Sequence, residues 1–156
     1  MRVRVWRISL ATRAADAFDG EGAALYGGRW NPKGVAVVYT AESLALAALE
    51  FFVNFNSRRP VPMVAIHAEI PEPIEPVVIG ARELPSNWRS RRPADSTRAI
   101  GAAWTATARS AVMSVPSVVI PRERNYLLNP AHPDFRKIRI GKPEPFSFDE
   151  RMWKPE

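Results

Sequence analysis

The sequence predicts an α+β fold: a single compact domain of mixed or antiparallel sheets with a few helices packed on them. Short β-rich runs recur along the chain, punctuated by Pro, Gly and Asn. Helix-like stretches fall between them irregularly, without the regular strand–helix alternation of a doubly wound sheet. The chain has 156 residues, 46% hydrophobic and 24% charged. That suits one domain, residues 1–156, burying about two-thirds of its unfolded surface.

Taken in order, Val3, Val5 and Ile8 mark a first strand with Trp6-Arg7 near its end. Residues 11–25, rich in Ala, Asp and Gly, read as a loop or short helix. Tyr26-Gly27-Gly28-Arg29-Trp30-Asn31 leads into the turn Asn31-Pro32-Lys33-Gly34 and the strand Val35–Thr40. Thr40 is placed to cap the next helix, with Glu42 in its first turn. Residues 54–62 form a polar, basic loop. Met63–Ile70 is expected to be a half-exposed strand, Val64, Ile66 and Ile70 on one face and His67 and Glu69 on the other. Pro71, Pro73 and Pro76 end it, and Val77–Ile79 suits another short strand. Leu84–Pro93 is a loop carrying Trp88, Arg89, Arg91 and Arg92; Ser96–Arg109 has helical spacing. Val112–Ile120 reads as a strand that Pro116 confines to an edge or a bulge. Phe135–Ile140 is the expected last strand. The tail from Gly141 holds Phe146, Phe148 and Trp153, too aromatic for a linker.

The chemistry concentrates between Tyr26 and Glu50. Between Leu44 and Val53 the only charged residue is Glu50. At 100° per residue it lies about 40° from Leu46 and about 60° from Val53, inside the most apolar arc of the helix. An ionised carboxylate there needs a partner or ligand, because desolvating it alone costs several kcal/mol. Arg29 follows a Gly-Gly pair, whose backbone N–H groups beside a guanidinium suit a diphosphate; a tight turn with Arg29 in a salt bridge is the plainer alternative. Tyr39 closes the apolar strand, placed either to stack on a flat ring or to fill the core. Ser117 lacks a G-x-S-x-G elbow, so a hydrogen-bonding role suits it better than nucleophilic attack.

Composition narrows the function classes. No apolar run reaches the ~20 residues of a membrane span, and the N-terminus lacks a signal-peptide core. With no cysteine and two histidines, thiolate and structural zinc sites are not expected, and a cytoplasmic setting is compatible. The net charge of +6 rests on 18 Arg against 4 Lys. Arginine grips phosphate and carboxylate groups, so nucleic acid, a phosphate-bearing small molecule or an acidic protein all fit. Trp88-Arg89-Ser90-Arg91-Arg92 best supports an alternative, a nucleic-acid-binding module or ribonuclease; the absence of a recognition helix and of an acid–base histidine pair argues against it. An arginine, a tyrosine, a glutamate and a serine, without metal or thiol, suit cleavage at a sugar anomeric carbon, where a buried carboxylate stabilises a cation-like transition state. A leaving group that is already cationic, such as nicotinamide, needs no general acid.

Gly27-Gly28-Arg29-Trp30-Asn31, Tyr39-Thr40-Ala41-Glu42-Ser43, Leu49-Glu50, Val115-Pro116-Ser117 and Asn125-Tyr126-Leu127-Leu128-Asn129-Pro130 together resemble the RES domain, in the right order and from Trp6 to Asp149. The resemblance implies an ADP-ribosyltransferase-like fold and the toxin of a bacterial type II toxin–antitoxin pair that consumes NAD+, by hydrolysis, by phosphorolysis or by transfer of ADP-ribose to a protein. It implies as partner a small antitoxin with an Xre-like helix-turn-helix region that blocks the active site. By motif, Arg29, Glu50 and Ser117 match the naming residues, and Tyr39 matches a pocket tyrosine. Arg7 matches an arginine after the first strand. The expectation is that Arg29, with Arg7, holds the diphosphate, Tyr39 packs on the nicotinamide end, Ser117 hydrogen-bonds the nicotinamide or its ribose, and Glu50 stabilises the ribosyl cation. Acceptor choice is expected to lie in loops such as 54–62 and 82–93.

Overall fold

The computed structural model describes residues 2–55 and 60–153; residues 56–59 of the expected basic loop lie outside them. Strand β1 (Val3–Leu10) is followed by a 3-10 turn (Ala11–Asp16), the short helix α1 (Glu21–Tyr26), β2 (Val38–Ala41), α2 (Leu44–Asn54) and β3 (Met63–Ile70). Then come β4 (Val77–Val78), α3 (Asp95–Thr107), β5 (Val112–Pro116), β6 (Arg124–Leu128), β7 (Arg139–Ile140) and β8 (Glu144–Phe146). The strands form one mixed sheet in the order β4-β5-β6-β2-β1-β3, with β7 and β8 side by side along the far edge of β3. Among the described strands only the β4–β5 pair is parallel. The expected α+β architecture is therefore present.

Alternation along the inner strands lets the sheet bury both faces. Neighbours Leu127 and Leu128 are both 0% exposed, yet they serve different clusters. Leu128 joins Val5, Val38, Ile66 and Val112, while Leu127 joins Trp30, Val37, Met113 and Trp104 of α3. A third cluster lies under α2, where Leu46 and Ala47 meet Ile8, Ala41 and Met63. The aromatic tail completes it: Phe148 contacts Phe51, Phe52, Phe146 and Trp153. The tail is thus packed on α2 and is no mere linker, as its composition suggested.

Several elements differ from the sequence expectation. Strand β2 starts at Val38 instead of Val35. Thr40 lies within it and donates its hydroxyl to Tyr126 O at 2.6 Å, so Ser43 becomes the α2 cap, its Oγ accepting from Leu46 N at 3.0 Å. Glu42 accepts from Arg124 N instead of entering the helix. Strand β3 is more buried than expected, because it pairs with β1 on one side and with β7 and β8 on the other. β5 is an inner strand with all five residues buried. Pro116 ends it beyond Met113 and Ser114, the positions that β4 pairs. Phe135–Ile140 is largely a 3-10 turn (Pro133–Lys137), with Pro133 at its start and His132 Nδ1 accepting from Asp134 N; only Arg139–Ile140 is strand.

Candidate active site

Arg7, Arg29, Tyr39 and Glu50 all line one cleft of about 1020 Å³. Its floor is the β1–β2 part of the sheet, and α2 supplies one wall. Loop 27–30 and loop 88–93 supply others.

Glu50 projects from α2 toward β5 and β6. Ser117 Oγ donates to its Oε2 at 2.8 Å, and Asn125 Nδ2 donates to its Oε1 at 2.8 Å. Both donors are pre-oriented. Ser117 Oγ already accepts from Val119 N and Ile120 N (3.1 and 3.2 Å), so its own proton is directed at the carboxylate. The Asn125 amide is pinned by a second bond from Nδ2 to Thr40 O at 3.1 Å. Such a pair of donors specifies an acceptor-only group, which the ionised carboxylate is and a glutamine is not. Burial pushes the Glu50 carboxyl above its ordinary value; the Asn125 and Ser117 hydrogen bonds oppose this, and the nearby Glu123 charge adds to it. The helical glutamate, half-buried at the cleft wall, thus has the partners its position required.

Ser117 itself is fully buried behind Glu50 and contributes no wall to the cleft. Its hydroxyl is occupied in holding the carboxylate, which differs from the expected contact with nicotinamide or ribose. Asn125 does line the cleft. Sequence reading passed it over within Asn125–Pro130, although an asparagine beside Tyr126-Leu127-Leu128 in a strand is a signal of a buried polar role.

The arginine loop is docked carbonyl-first on α3. Arg98 Nε donates to Gly28 O at 3.0 Å and Thr97 Oγ1 to Arg29 O at 2.6 Å, while a Cβ at Gly101 would overlap Trp30 O. The Gly-Gly amides are not free to grip a phosphate: Gly27 N donates to Ala23 O and Gly28 N to Asn31 O. The glycines serve geometry instead. Gly27 closes α1 at φ 74°, and a Cβ on Gly28 would lie 2.5 Å from Tyr39 Oη. Among the described residues Arg29 has no salt-bridge partner either: its Nη1 donates to Trp88 O at 3.0 Å and its Nη2 to Arg91 O at 3.5 Å. Partial burial lowers its pKa, with Tyr39 opposing.

Tyr39 lies inside β2. Its hydroxyl donates to Asn31 Oδ1 at 2.5 Å and accepts from Trp30 N at 3.1 Å. Burial pushes its pKa up to about 12, so it stays neutral. Asn31, fully buried, donates to Ala23 O, Pro32 O and Val35 O and so ties α1, the turn and the tyrosine together. By sequence Asn31 is a turn residue and the end of the Gly27–Asn31 motif, with no buried hydrogen-bonding role expected of it. Arg7 donates through Nη1 to Tyr39 O at 2.9 Å, while its buried Nε has no partner among the described residues. Burial lowers its pKa and the Asp19 charge opposes. Trp88 packs with the Trp30 cluster, which removes it as an exposed platform for a nucleic-acid base.

Among the described residues no helix is long and apolar enough to cross a membrane. The chain matches the RES domain family over residues 4–149. It is 38% identical over 157 residues to the Prs ADP-ribosylating toxin of Sphingobium sp. (strain YBL2), covering 97% of this chain and 98% of the relative. It is 34% identical over 149 residues to a Toxin Res of Yersinia enterocolitica, covering 95% and 98%. A chain of the crystal structure of the M. tuberculosis MbcT–MbcA toxin–antitoxin complex superposes with a TM-score of 0.77 at 14% identity, covering 98% of this chain and 87% of that one. Motifs, fold and relatives agree: this chain belongs to the RES domain family.

Proposed function

We propose that this protein is the toxin of a toxin–antitoxin pair, and that it breaks the bond between nicotinamide and ribose in NAD+. The observation that carries this reading is Glu50: a carboxylate on the wall of a basic cleft, held by two donors that specify its ionised form. Nicotinamide departs as a neutral molecule, taking the bonding pair, so the cleft needs no general acid. The positive charge left on C1′ and the ring oxygen is what a fixed carboxylate stabilises. Water, phosphate or a protein side chain then bonds to C1′ and releases its proton to solvent. Arg29 and Arg7 meet the diphosphate, and the Tyr39 ring packs on the nicotinamide end. Ser117 and Asn125 keep Glu50 aimed and ionised. Supporting evidence comes from the name of the Sphingobium relative, an ADP-ribosylating toxin.

The partner in this reading is an antitoxin that covers the cleft. At the mouth Tyr26 is 76% and Val53 59% exposed, and arginines line the walls. That combination suits a segment carrying apolar and acidic side chains. NAD+ labelled in the adenylate half, incubated with the protein and target-cell lysate, tests the reaction. Label on a protein means transfer, and free ADP-ribose means hydrolysis. An NAD+ pool unchanged against a no-enzyme control rejects the proposal.

A further inference from the structure

We propose that Arg89 is a second phosphate ligand of the cleft, forming with Arg29 a two-guanidinium grip for the diphosphate of a dinucleotide. The inference rests on the NAD+ reading and deepens it. The Arg29 guanidinium sits against the peptide that joins Trp88 to Arg89, through its bond to Trp88 O, and reaches the other side of Arg89 through Arg91 O. Loop 88–93 therefore holds the Arg29 guanidinium with two backbone carbonyls and contributes a second guanidinium, that of Arg89, to the same cleft. Arg89 is itself fixed: its Nε donates to Val118 O at 2.8 Å, one residue from the Ser117 that holds Glu50. With Nε spent on that anchor, both terminal nitrogens of Arg89 make no hydrogen bond among the described residues, and the side chain lines the cleft. Neither Arg29 nor Arg89 has a carboxylate within 4.0 Å among the described residues, although the chain pairs Arg4 with Glu69 and Arg151 with Asp149 on its surface. Two guanidinium groups without a carboxylate partner, one from loop 27–30 and one from loop 88–93, line the same cleft and attract a polyanion.

The loop is built to hold that arrangement. Trp88 packs into the Trp30 cluster, Trp88 N donates to Pro85 O, Ser90 N to Asn87 O, and Ser96 Oγ to Asn87 Oδ1. A diphosphate offers each guanidinium a pair of oxygens, which the planar fork matches better than an ammonium does. The basic Trp88–Arg92 stretch, which in sequence suggested a nucleic-acid surface, becomes part of a dinucleotide cleft. Arg92, exposed like Arg89, stands outside the lining, so it serves as the control.

Calorimetric titration of ADP-ribose and ADP into the parent, Arg89→Gln, Arg89→Lys and Arg92→Gln separates the possibilities. Arg89→Gln is expected to weaken both ligands by about 10- to 100-fold, the range for a lost charge-assisted bond. Arg89→Lys recovers part of that loss, and Arg92→Gln matches the parent. Unchanged affinity in Arg89→Gln overturns the inference, as does an equal loss in Arg92→Gln. So does an RNA oligonucleotide whose binding falls in Arg89→Gln while that of ADP-ribose does not. A parent protein that binds neither ADP-ribose nor ADP overturns the NAD+ reading itself, a distinct outcome.

Discussion

Replacing Asn125 by aspartate puts an acceptor where the site now has a donor, with almost no change of shape. The amide nitrogen at that point lies 2.8 Å from Glu50 Oε1 and 3.1 Å from Thr40 O. Two unit charges 2.8 Å apart repel by about 6 kcal/mol at an effective dielectric of ~20. Solvent on the open side of the cleft screens this, and even halved it is worth about two pKa units. The lost charge-assisted bond adds about 1.5–3 kcal/mol in the same direction. The pair is therefore expected to share one proton at neutrality, as facing carboxylates do. The assay is the pH dependence of NAD+ consumption between roughly pH 5 and 9. In the parent, the acid limb should already lie above the ordinary carboxylate value, because burial raises the Glu50 pKa. In Asn125→Asp it should move up by about two units or more, with neutral-pH activity partly regained on the alkaline side. An acid limb identical to the parent's would show that Glu50 ionisation does not gate the reaction, and the mechanism would be refuted.

Other outcomes follow from the same geometry. The folded state binds the Glu50 proton more tightly than the unfolded chain does, so stability relative to Glu50→Gln should rise as pH falls through the window between the ordinary and the raised value; urea unfolding at several pH values reads this. Ala108, the non-glycine residue at φ 50° that ends α3, should gain about 0.5–1 kcal/mol on mutation to glycine, raising Tm by about 1–3 °C in calorimetry. Gly28→Ala should displace Tyr39 and cost about 1–3 kcal/mol together with most NAD+ consumption; activity at the parental level would mean the tyrosine is not needed where it stands. Arg29→Glu should weaken antitoxin binding as well as catalysis, and an unchanged complex in a pull-down would place the antitoxin away from the cleft.

What the sequence made legible was the anomaly: one glutamate on an otherwise apolar helical arc. Helical spacing placed Glu50 and required partners for it. Spacing could not supply them, since Ser117 and Asn125 lie 67 and 75 residues away. Only the register of β6 against β2 and β5 brings them under α2. The same register explains the errors in strand assignment. Pro116 looked like an edge marker because local propensity does not reveal that β4 stops at Ser114. Thr40 looked like a helix cap because its hydroxyl's true acceptor, Tyr126 O, is 86 residues distant. By sequence the glycine pair fits either a phosphate grip or a tight turn, and in the structure it forms the turn. Its amides close the α1 terminus and the Gly28–Asn31 bridge, and its missing side chain makes room for Tyr39.

The most direct test of the central claim is the release of free nicotinamide from NAD+ by the purified protein, measured beside Glu50→Gln. The variant keeps the side-chain volume, removes the charge and sets an amide against two fixed donors. If the fixed carboxylate stabilises the ribosyl cation, the parent releases nicotinamide and the variant does so at least about 100-fold more slowly, the scale for losing one electrostatic stabiliser. Nicotinamide release by Glu50→Gln at the parental rate would contradict the account.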